Sequence, residues 1–249
     1  MKVLAIIPAR YESSRLPGKP LATLGDKTMI QRVYENAINS NLFSKVIVAT
    51  DDQRIANECI RIKANFQMTN SEHQSGTNRC AEVLEKQPEN YDVIINIQGD
   101  EPFIDPSYFN SLLSIFKNEK VEIGTLYHTI KDPFEVLDPN CVKVVLSKKN
   151  KALYFSRAQI PYIRNKALMG QNDLYKKHIG LYAYKPQVLK EIPNLGFSIL
   201  EDAEKLEQLN WLEHGYEIYA SEIQGNTISI DTMDDLEKAR EFLLQKTKN

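Results

Sequence analysis

The chain has 249 residues, 42% of them hydrophobic and 26% charged, and its formal net charge is −2 at pH 7. This length and composition are typical of a globular protein with room for one large α/β domain and a sizeable core. The near-neutral charge disfavours a nucleic acid or a membrane surface as the main partner.

Cysteine usage and apolar runs disfavour further classes of protein. Cys59, Cys80 and Cys141 have no metal-like spacing, and an odd number of cysteines argues against a disulfide framework. The apolar run at 3–7 ends at Pro8, which makes it too short for the apolar core of a secretory signal. No run is long enough to span a membrane. We therefore expect a cytoplasmic protein.

In the first half of the chain, short apolar runs alternate with segments whose apolar residues repeat at helical spacing. This alternation predicts a mostly parallel sheet with helices on both faces. The predicted strands cover residues 3–7, 45–50, 66–68 and 92–97. The predicted helices cover residues 28–40 and 52–63, a segment capped by Thr77 that ends near residue 87, and a segment that begins near Pro106.

After about residue 120 the pattern changes. Strand-like segments on either side of a turn at 148–150 predict antiparallel strands, inserted in the parallel sheet or packed beside it. Residues 160–177 are rich in Pro, Asn, Lys and Gly, which predicts a mobile loop. The predicted strands cover residues 122–129, 142–146, 152–155, 179–184 and 217–220, and the predicted helices cover 198–214 and 232–245.

The loop after the first strand concentrates positive charge. Arg10, Arg15 and Lys19 lie there together with Gly18 and two serines. In an open α/β sheet this loop is where ligands bind, and fixed cations beside a glycine suit a polyphosphate. A solvated basic turn is the alternative interpretation. Because Gly18 is the first glycine of the chain, this loop can hold neither a dinucleotide-binding glycine motif nor a P-loop.

Two aspartates are candidate ligands of Mg²⁺. Asp100 follows the apolar strand 92–97, so it is expected at the same sheet edge as the basic loop, where Mg²⁺ can bridge a carboxylate to phosphates. A turn or an N-cap is the alternative role for Asp100. Asp231 precedes Thr232 and Asp235, which can form a capping box at the start of the last helix. The box leaves the Asp231 carboxylate free, which makes it the second candidate ligand.

Further polar positions have both a functional and a structural interpretation. The segment 73–79 precedes a helix, where free N–H groups favour an anion or a polar base edge, whereas a capped loop is the alternative. Glu201 can bind substrate or complete a cap with Ser198. Arg157 ends a strand and can hold a carboxylate in a fork. His178 can be a general base, a substrate contact or a structural histidine, and for a single histidine the last is commonest.

Six motifs are spread along nearly the whole chain. The first, I-I-P-A-R-Y-x-S-x-R-L-P-G-K-P-L, covers residues 6–21. The others are V-A-T-D at 48–51, H-Q-S-G-T-x-R at 73–79, N-I-Q-G-D-E-P at 96–102, A-L-Y-F-S-R-A at 152–158 and L-E-Q-L at 206–209. In this order they resemble the motifs of the sugar-acid cytidylyltransferases, and the likeness extends from Lys2 to about Leu243.

The resemblance implies a glycosyltransferase-A-like α/β fold and a homodimer. It also implies that the 2-hydroxyl of 3-deoxy-manno-octulosonate (KDO) attacks the α-phosphorus of CTP, with Mg²⁺ as cofactor, to give CMP-KDO and pyrophosphate for lipopolysaccharide biosynthesis. An 8-amino analogue of KDO is an alternative substrate. The implied organisation is a single domain, residues 1–249, with a nucleotide-binding half, 1–120, and a sugar-binding and dimerisation half, 121–249.

Carried over position by position, the resemblance assigns three groups of site residues. CTP binding is assigned to Ala9, Arg10, Ser13, Arg15, Lys19, Gln74, Ser75, Gly76, Arg79 and Asp100, of which Arg15, Lys19 and Asp100 are also assigned to catalysis. Sugar binding is assigned to Gln98, Arg157, His178, Tyr182, Glu201 and Gln208, and Mg²⁺ binding to Asp100 and Asp231.

The chain departs from the family pattern at two positions, and other functions compete. Ile199 stands where the family commonly has proline in S-P-L-E, and Ala183 where it has the second glycine of G-[IL]-Y-G-Y. One rival is a nucleotidyltransferase that activates sialic acid or a neutral sugar phosphate. A second is a nucleotide-binding module without catalysis, which the pair of aspartates disfavours because binding alone needs no metal. An RNA-binding module is disfavoured by the charge and by the lack of a basic and aromatic surface pattern.

Overall fold

The computed structural model describes residues 1–12, 15–168, 173–225 and 229–246. The described strands are β1 (Val3–Pro8), β2 (Thr23–Leu24), β3 (Lys27–Thr28), β4 (Lys45–Thr50), β5 (Phe66–Met68), β6 (Val93–Asn96), β7 (Ile123–Thr129), β8 (Lys143–Leu146), β9 (Ala152–Ser156), β10 (Lys176–Tyr184) and β11 (Ile218–Glu222). The described α-helices are α1 (Met29–Asn39), α2 (Gln53–Arg61), α3 (Gly76–Glu85), α4 (Pro106–Ile115), α5 (Pro133–Leu137), α6 (Pro186–Glu191), α7 (Ile199–Glu204), α8 (Glu207–Glu213) and α9 (Met233–Lys246). None of these helices is both long and apolar enough to cross a membrane.

The chain forms two compact units, which do not follow the division at residue 120 expected from the sequence. The described residues of Met1–Ser107 and Thr227–Asn249 form the first unit, and those of Tyr108–Asn226 form the second. The C-terminal helix α9 therefore belongs to the same unit as the N-terminal strand.

The sheet of the first unit confirms the predicted parallel arrangement. β1 pairs in parallel with β4 and with β6, and β4 pairs in parallel with β5. Ala5 on β1 lies opposite Val46 on one side and Ile95 on the other. The residues of 3–7 are all buried, as expected for a central strand covered on both faces. Since the strands are parallel, the loops that follow β1, β4 and β6 all leave from one edge of the sheet.

A small apolar cluster attaches the C-terminal segment to the loop after β1. Its buried members are Leu16, Leu24, Met29, Ile230, Leu236 and Ala239. Leu16 comes from the basic loop and Ile230 from the residues just before α9, so burial of these side chains fixes one segment against the other. This packing brings the Asp231 region to the basic loop across most of the sequence.

The second unit contains the antiparallel strands expected after residue 120. β7 pairs antiparallel with β10, and the register shifts between Ile179 and Ala183. β8 pairs antiparallel with β9 and with β10, whereas β11 pairs in parallel with β7. A turn at 147–151 joins β8 to β9, and Asn150 adopts a φ of 58° there. Asparagine tolerates this left-handed conformation better than most residues.

The predicted helix 198–214 is wrong, because the structure contains two helices there. α7 ends at Glu204, and its C-cap Lys205 has the left-handed φ of 52° and ψ of 50°. Leu206 is extended before α8 begins. α7 buries none of its residues, whereas the side chain of Leu206 is buried. The bend therefore buries Leu206. A straight continuation of α7, which has no apolar face, would not bury it.

The predicted cap at Thr77 is also wrong. α3 begins at Gly76, and its N-cap is Ser75, whose hydroxyl oxygen accepts a hydrogen bond from the Asn78 backbone N–H at 3.2 Å. Thr77 is inside the helix and buried. Serine and threonine are both good caps, and Ser75 lies only two residues before Thr77, so the choice between them depends on the backbone geometry.

Candidate active site

The ends of β1 and β6 approach so closely that the loop after β6 needs a glycine. A Cβ placed on Gly99 would lie 2.9 Å from the carbonyl oxygen of Pro8. A Cβ on Gly76, at the start of α3, would lie 3.1 Å from the Pro8 ring. The Ala9 N–H donates to the carbonyl of Ala49 at 2.8 Å, which ties the end of β1 to β4. Three segments that carry predicted site residues thus meet at one edge of the first unit's sheet.

A tight turn places the lysine of the basic loop. Gly18 has a φ of +70°, a conformation that residues with a Cβ rarely adopt, and its N–H donates to the Tyr11 carbonyl at 2.9 Å. The Tyr11 ring lies 3.1 Å from where a Cβ of Gly18 would be, and the Arg54 guanidinium stacks on the ring at 3.2 Å from its centroid. The 3₁₀ turn that follows begins at Lys19.

Four charged side chains meet at this edge, and we refer to Arg15, Lys19, Asp100 and Asp231 as the charged cluster. The Lys19 Nζ lies 2.6 Å from Asp100 Oδ2 and 3.0 Å from Asp231 Oδ1. The Arg15 Nη2 lies 3.1 Å from the same Asp231 oxygen. Two carboxylates that are separated by most of the chain are thus held on either side of one ammonium group.

The charged cluster is partly shielded from water. The side chain of Lys19 is 15% exposed and that of Asp100 22%, whereas Arg15 is 61% exposed. Burial opposes the charged form of Lys19, but the carboxylates of Asp100 and Asp231 outweigh it and raise the pKa of Lys19 above its usual value. Lys19 is therefore fully charged at neutral pH and remains so while the two carboxylates face it.

The predicted capping box at the start of α9 is confirmed. The Thr232 hydroxyl donates to Asp235 Oδ2 at 2.8 Å, and the Asp235 N–H donates to the Thr232 hydroxyl at 3.2 Å. The Asp231 N–H also donates to Asp235 Oδ2, and the Ile230 N–H donates to the Asp100 carbonyl at 3.0 Å. The box occupies Thr232 and Asp235 and leaves the Asp231 carboxylate to the charged cluster.

The donor set of the charged cluster fits a divalent cation that shares its ligands with a substrate. Asp100 and Asp231 supply carboxylate oxygens, and Mg²⁺ is commonly held by one or two carboxylates with the remaining positions filled by phosphates and water. Within the described part of the chain, no group of three or more His, Cys, Asp or Glu side chains could hold a metal by itself. Asp100 and Asp231 would supply only part of the oxygen ligands that Mg²⁺ takes.

Arg79, assigned to CTP binding, is buried and engaged within the protein. One guanidinium nitrogen donates to the Thr69 hydroxyl, and another lies 3.3 Å from Asp51 Oδ2, just after the end of β4. The Arg79 side chain is 4% exposed. These contacts tie α3 to the ends of β4 and β5, so Arg79 has a structural role whether or not it also contacts a nucleotide.

The other positions assigned to CTP differ in exposure. Arg10 and Gln74 are exposed, Ala9 is buried, and Gly76 is half-buried at the start of α3. The side-chain amide of Gln74 donates to the Glu72 carbonyl at 2.9 Å. Ser13 lies outside the described residues.

Glu82, which belongs to none of the six motifs, holds the segment before α3. The Glu82 carboxylate accepts from the Asn70 N–H at 2.9 Å and also contacts the His73 ring and the Lys86 ammonium. Burial acts against the charged carboxylate, but these bonds outweigh it and lower the pKa of Glu82 to about 2. A glutamate on the buried side of a helix that follows a histidine by nine positions offered only a weak signal in the sequence.

Asn96, in the same unit, is a second residue that the assignments left out. It ends β6 and is buried, and its Oδ1 has no hydrogen-bond partner among the described residues. The amide nitrogen lies 3.9 Å from where a Cβ of Gly76 would be. A buried acceptor without a partner is uncommon and is often functional.

Arg157, assigned to the sugar, lies in the second unit and donates to backbone carbonyls. Its Nε donates to the Glu204 carbonyl at 2.7 Å, its Nη1 to Pro139 at 3.0 Å and its Nη2 to Lys205 at 3.4 Å. The fork predicted to hold a substrate carboxylate is thus also used to join three segments of the chain. The sugar contact of Arg157 stays a prediction.

His178 lies among aromatic rings on β10. Its Nε2 is 3.0 Å from the Thr125 hydroxyl, and its ring is 5.0 Å from the Phe155 ring and 5.3 Å from that of Tyr182. Removal from water lowers the pKa of His178 to about 3, so the ring is neutral near pH 7. Tyr182 is buried and packs edge-on against Trp211 at 5.0 Å. This environment favours the structural or contact role of His178 over that of a protonated acid.

The other residues assigned to the sugar have varied environments. The Ser198 hydroxyl caps α7 by accepting from the Glu201 N–H at 3.0 Å, while a Glu201 carboxylate oxygen accepts from the Asn210 amide at 2.8 Å. Gln208 is buried in α8. Gln98 belongs to the first unit, where it is half-buried after β6. The assignment of these residues to the sugar stays a prediction.

Comparison with known proteins places the chain. A sequence model described as cytidylyltransferase matches residues 4–221. The chain is 50% identical to the 3-deoxy-manno-octulosonate cytidylyltransferase of Parabacteroides distasonis, over 99% of this chain and 100% of that protein. It is 49% identical to the protein of the same name from Bacteroides thetaiotaomicron, with the same coverage of both.

A solved structure has the same fold. It is that of CMP:2-keto-3-deoxy-manno-octonic acid synthetase complexed with CTP, and it superposes with a TM-score of 0.92 at 41% sequence identity. The match covers 99% of this chain and 100% of the other. It confirms the expected fold, a mostly parallel sheet of the nucleotide-sugar transferase type with additional antiparallel strands. The chain belongs to the cytidylyltransferase family.

Proposed function

We propose that this protein transfers CMP from CTP to the 2-hydroxyl of 3-deoxy-manno-octulosonate, forming CMP-KDO and releasing pyrophosphate. Relatives that carry the name of this activity are about half identical to the chain over almost its whole length. The similar solved structure is a complex with CTP. Both observations favour this reaction over activation of a neutral sugar phosphate.

The observation that carries the proposal is the arrangement of Lys19 between Asp100 and Asp231. A polyphosphate needs fixed cations, and Lys19 and Arg15 supply two of them beside the end of β1. A protein that only binds a nucleotide does not need two carboxylates next to the phosphates. Carboxylates beside a phosphate site are explained by a divalent cation, which supports a transferase over a binding module.

In the proposed reaction the residues of this chain act mainly by position and charge. The sugar hydroxyl attacks the α-phosphorus in line with the departing pyrophosphate, and such transfers depend on alignment and on charge stabilisation. Lys19 and Arg15 exchange their carboxylate partners for phosphate oxygens and stabilise the charge that collects on the pyrophosphate. The cost of this exchange is small, because each cation moves from one anion to another.

We further propose that Asp100 and Asp231 hold Mg²⁺ when CTP is bound. Held there, Mg²⁺ would supply charge neutralisation at the α-phosphate and a lower pKa of the attacking hydroxyl. The charge of the Asp100 and Asp231 carboxylates would then be offset by the ion when Lys19 turns to the phosphates. No side chain of the charged cluster is needed as a general base.

For the sugar we propose the second-unit residues Arg157, His178, Tyr182, Glu201 and Gln208, together with Gln98. The neutral ring of His178 can accept or donate one hydrogen bond to a hydroxyl, but it cannot supply a proton near pH 7. Arg157 has donor hydrogens beyond those given to backbone carbonyls, which suits the carboxylate of a sugar acid.

The proposal extends to assembly and location. The described part of the second unit exposes large apolar side chains, among them Phe134, Tyr162 and Phe197, each more than 80% exposed. Exposed apolar side chains are available for contact with a second copy of the chain, and a homodimer, which the family resemblance implies, is part of the proposal. Cys59, Cys80 and Cys141 are buried free thiols, which suits the reducing cytoplasm, where CTP is available.

A panel of pyrophosphate-release assays tests the proposal. CTP, UTP and GTP are each offered with KDO, its 8-amino analogue and sialic acid, in the presence of Mg²⁺. We expect release only with CTP, and fastest with KDO. Faster release with the 8-amino analogue would make that analogue, and not KDO, the substrate. Release with UTP or GTP but not with CTP would refute the assignment of the protein as a cytidylyltransferase for KDO.

A further inference from the structure

Lys143, on β8, is a buried lysine without a carboxylate partner. Its side chain is completely shielded from water, and its ammonium donates to the Asp138 carbonyl at 2.9 Å and to the Arg157 carbonyl at 2.6 Å. No carboxylate lies within ion-pair distance of it in the part of the chain that the structure describes. A buried ammonium is costly, so a fold retains one only where its bonds hold something in place.

Lys143 binds the backbone at the end of β9, where Arg157 follows the strand. The Arg157 side chain in turn binds two further segments of the chain. The carbonyl of Arg157 binds Lys143, while its guanidinium donates to the carbonyls of Pro139 and Glu204. Lys143 and Arg157 thus both donate to carbonyls of the 138–139 turn. One tether reaches the turn through Asp138 and the other through Pro139.

Glu204 also binds the end of β9, through its side-chain carboxylate. Its carboxylate accepts from the Ser156 hydroxyl at 2.5 Å and from the Arg157 N–H at 2.7 Å. Glu204 is also the last residue of α7, directly before the bend at Lys205 that separates α7 from α8. The same carboxylate therefore fixes both the end of β9 and the bend between the two helices.

We propose that Lys143 and Glu204 are positioning residues for the sugar acid, which hold Arg157 and the α7–α8 bend in their binding geometry. We call Lys143, Arg157 and Glu204 the brace. The inference rests on the proposed function, because it takes Arg157, Glu201 and Gln208 as sugar contacts. Glu201 lies three residues before the brace's glutamate and Gln208 four residues after it, on the two helices that the bend separates.

The residues of the brace belong to the second unit, whereas the charged cluster, which is proposed to bind the nucleotide, belongs to the first. Loss of the Lys143 ammonium removes one donor from the Arg157 carbonyl and one from the Asp138 carbonyl, which keeps its hydrogen bond from the Cys141 N–H at 3.1 Å. We expect the loss to loosen the 138–139 turn and the end of β9. Small displacements of a binding group cost much of its effect, since binding and alignment depend on distances of an ångström or less. Binding of the sugar acid should therefore weaken, whereas binding of CTP should not change.

The test compares Lys143→Met and Glu204→Gln with a control lysine in the same unit. Lys151→Met is the control, because Lys151 forms an exposed ion pair with Glu217 and takes no part in the brace. Initial rates of pyrophosphate release are measured over a range of KDO at saturating CTP, and over a range of CTP at saturating KDO. For both brace variants we expect KM for KDO to rise by at least about tenfold, while KM for CTP stays within about twofold of wild type. Lys151→Met should leave both constants unchanged.

Amide hydrogen exchange at 156–158 and 204–208 is measured on the same proteins, so that the brace is also read without activity. We expect faster exchange in these segments in both brace variants and not in the control. Unchanged exchange, or equal rises in both KM values, would overturn the inference, even if Lys143→Met is poorly folded, because Glu204→Gln keeps the size of the side chain. If wild type releases pyrophosphate with no sugar acid, the proposed function fails, and the sugar role of the brace fails with it.

Discussion

Lys19 in the first unit is held by two carboxylates, whereas Lys143 in the second unit is held by two backbone carbonyls. The carboxylates raise the pKa of Lys19, and burial lowers the pKa of Lys143. A charge held by other charges can be exchanged for a substrate or a metal that brings the same charge. A charge held by the backbone is part of the framework and cannot leave without disturbing it.

The two units have different roles in the proposed reaction. The charged cluster is partly open to water and its partners are replaceable, as expected for residues that act on phosphates during the reaction. The residues proposed for the sugar are largely satisfied within the protein, through carbonyls, caps and aromatic rings. The first region should therefore control turnover, and the second should control recognition of the sugar.

The largest effect is expected from Asp100→Ala. Removal of this carboxylate takes away half of the proposed cation site and should lower kcat by at least about a hundredfold, as when charge stabilisation of a transition state is lost. The measurement is pyrophosphate release at saturating substrates and Mg²⁺. Asp234→Ala is the control, since Asp234 is exposed and outside the charged cluster. A near-normal rate in Asp100→Ala would break the assignment of turnover to the first unit.

A smaller loss is expected from Lys19→Met, which keeps the length of the side chain and removes its charge. The loss should fall on kcat, by about tenfold or more, because the ammonium is proposed to stabilise the departing pyrophosphate. Steady-state kinetics with CTP as the varied substrate separate the two constants. If KM for CTP rose while kcat stayed constant, Lys19 would contribute only uniform binding.

The smallest effect is expected for pH at His178. With its pKa lowered to about 3, the ring stays neutral from pH 5 to pH 8, so it should add no limb to the pH profile of kcat/KM for the sugar in that range. The unfolded chain binds this proton below about pH 6.5, so the shift costs stability as the pH falls from there towards 3. The ring resonances of His178 in an NMR titration give the value, and a midpoint near 6.5 would contradict a framework role for the ring.

Much of the first unit could be predicted from the sequence because its signals are local. A buried apolar strand followed by polar residues marks the sheet edge, so the order of strands and polar loops along the chain was enough to place Lys19 and Asp100 together. The capping box of Thr232 and Asp235 isolated Asp231 by elimination. The packing of Leu16 against Ile230, which brings that aspartate to the loop, depends on contacts that no local pattern encodes.

The second unit was less predictable because its arrangement depends on long-range packing. Lys143 lies in a strand with apolar neighbours, and the sequence does not say whether such a lysine turns outward or inward. The bend at Lys205 requires a left-handed backbone, which lysine rarely adopts, so helical spacing alone favoured one continuous helix. Glu204 belongs to no short motif with a known mechanism, and only its contacts with β9 reveal its part in the brace.

The most direct test of the account is a titration of nucleotide-free protein with Mn²⁺, in which the free ion is counted by electron paramagnetic resonance. If the two aspartates of the charged cluster form a cation site that Lys19 fills in the absence of substrate, Lys19→Met should bind one Mn²⁺ about tenfold or more tightly than wild type, since a competing positive charge has been removed. The double variant Lys19→Met with Asp231→Asn should lose the gain, and Lys27→Met, whose lysine pairs with Glu35 outside the cluster, should match wild type. Equal Mn²⁺ affinity in wild type and Lys19→Met would contradict the central claim.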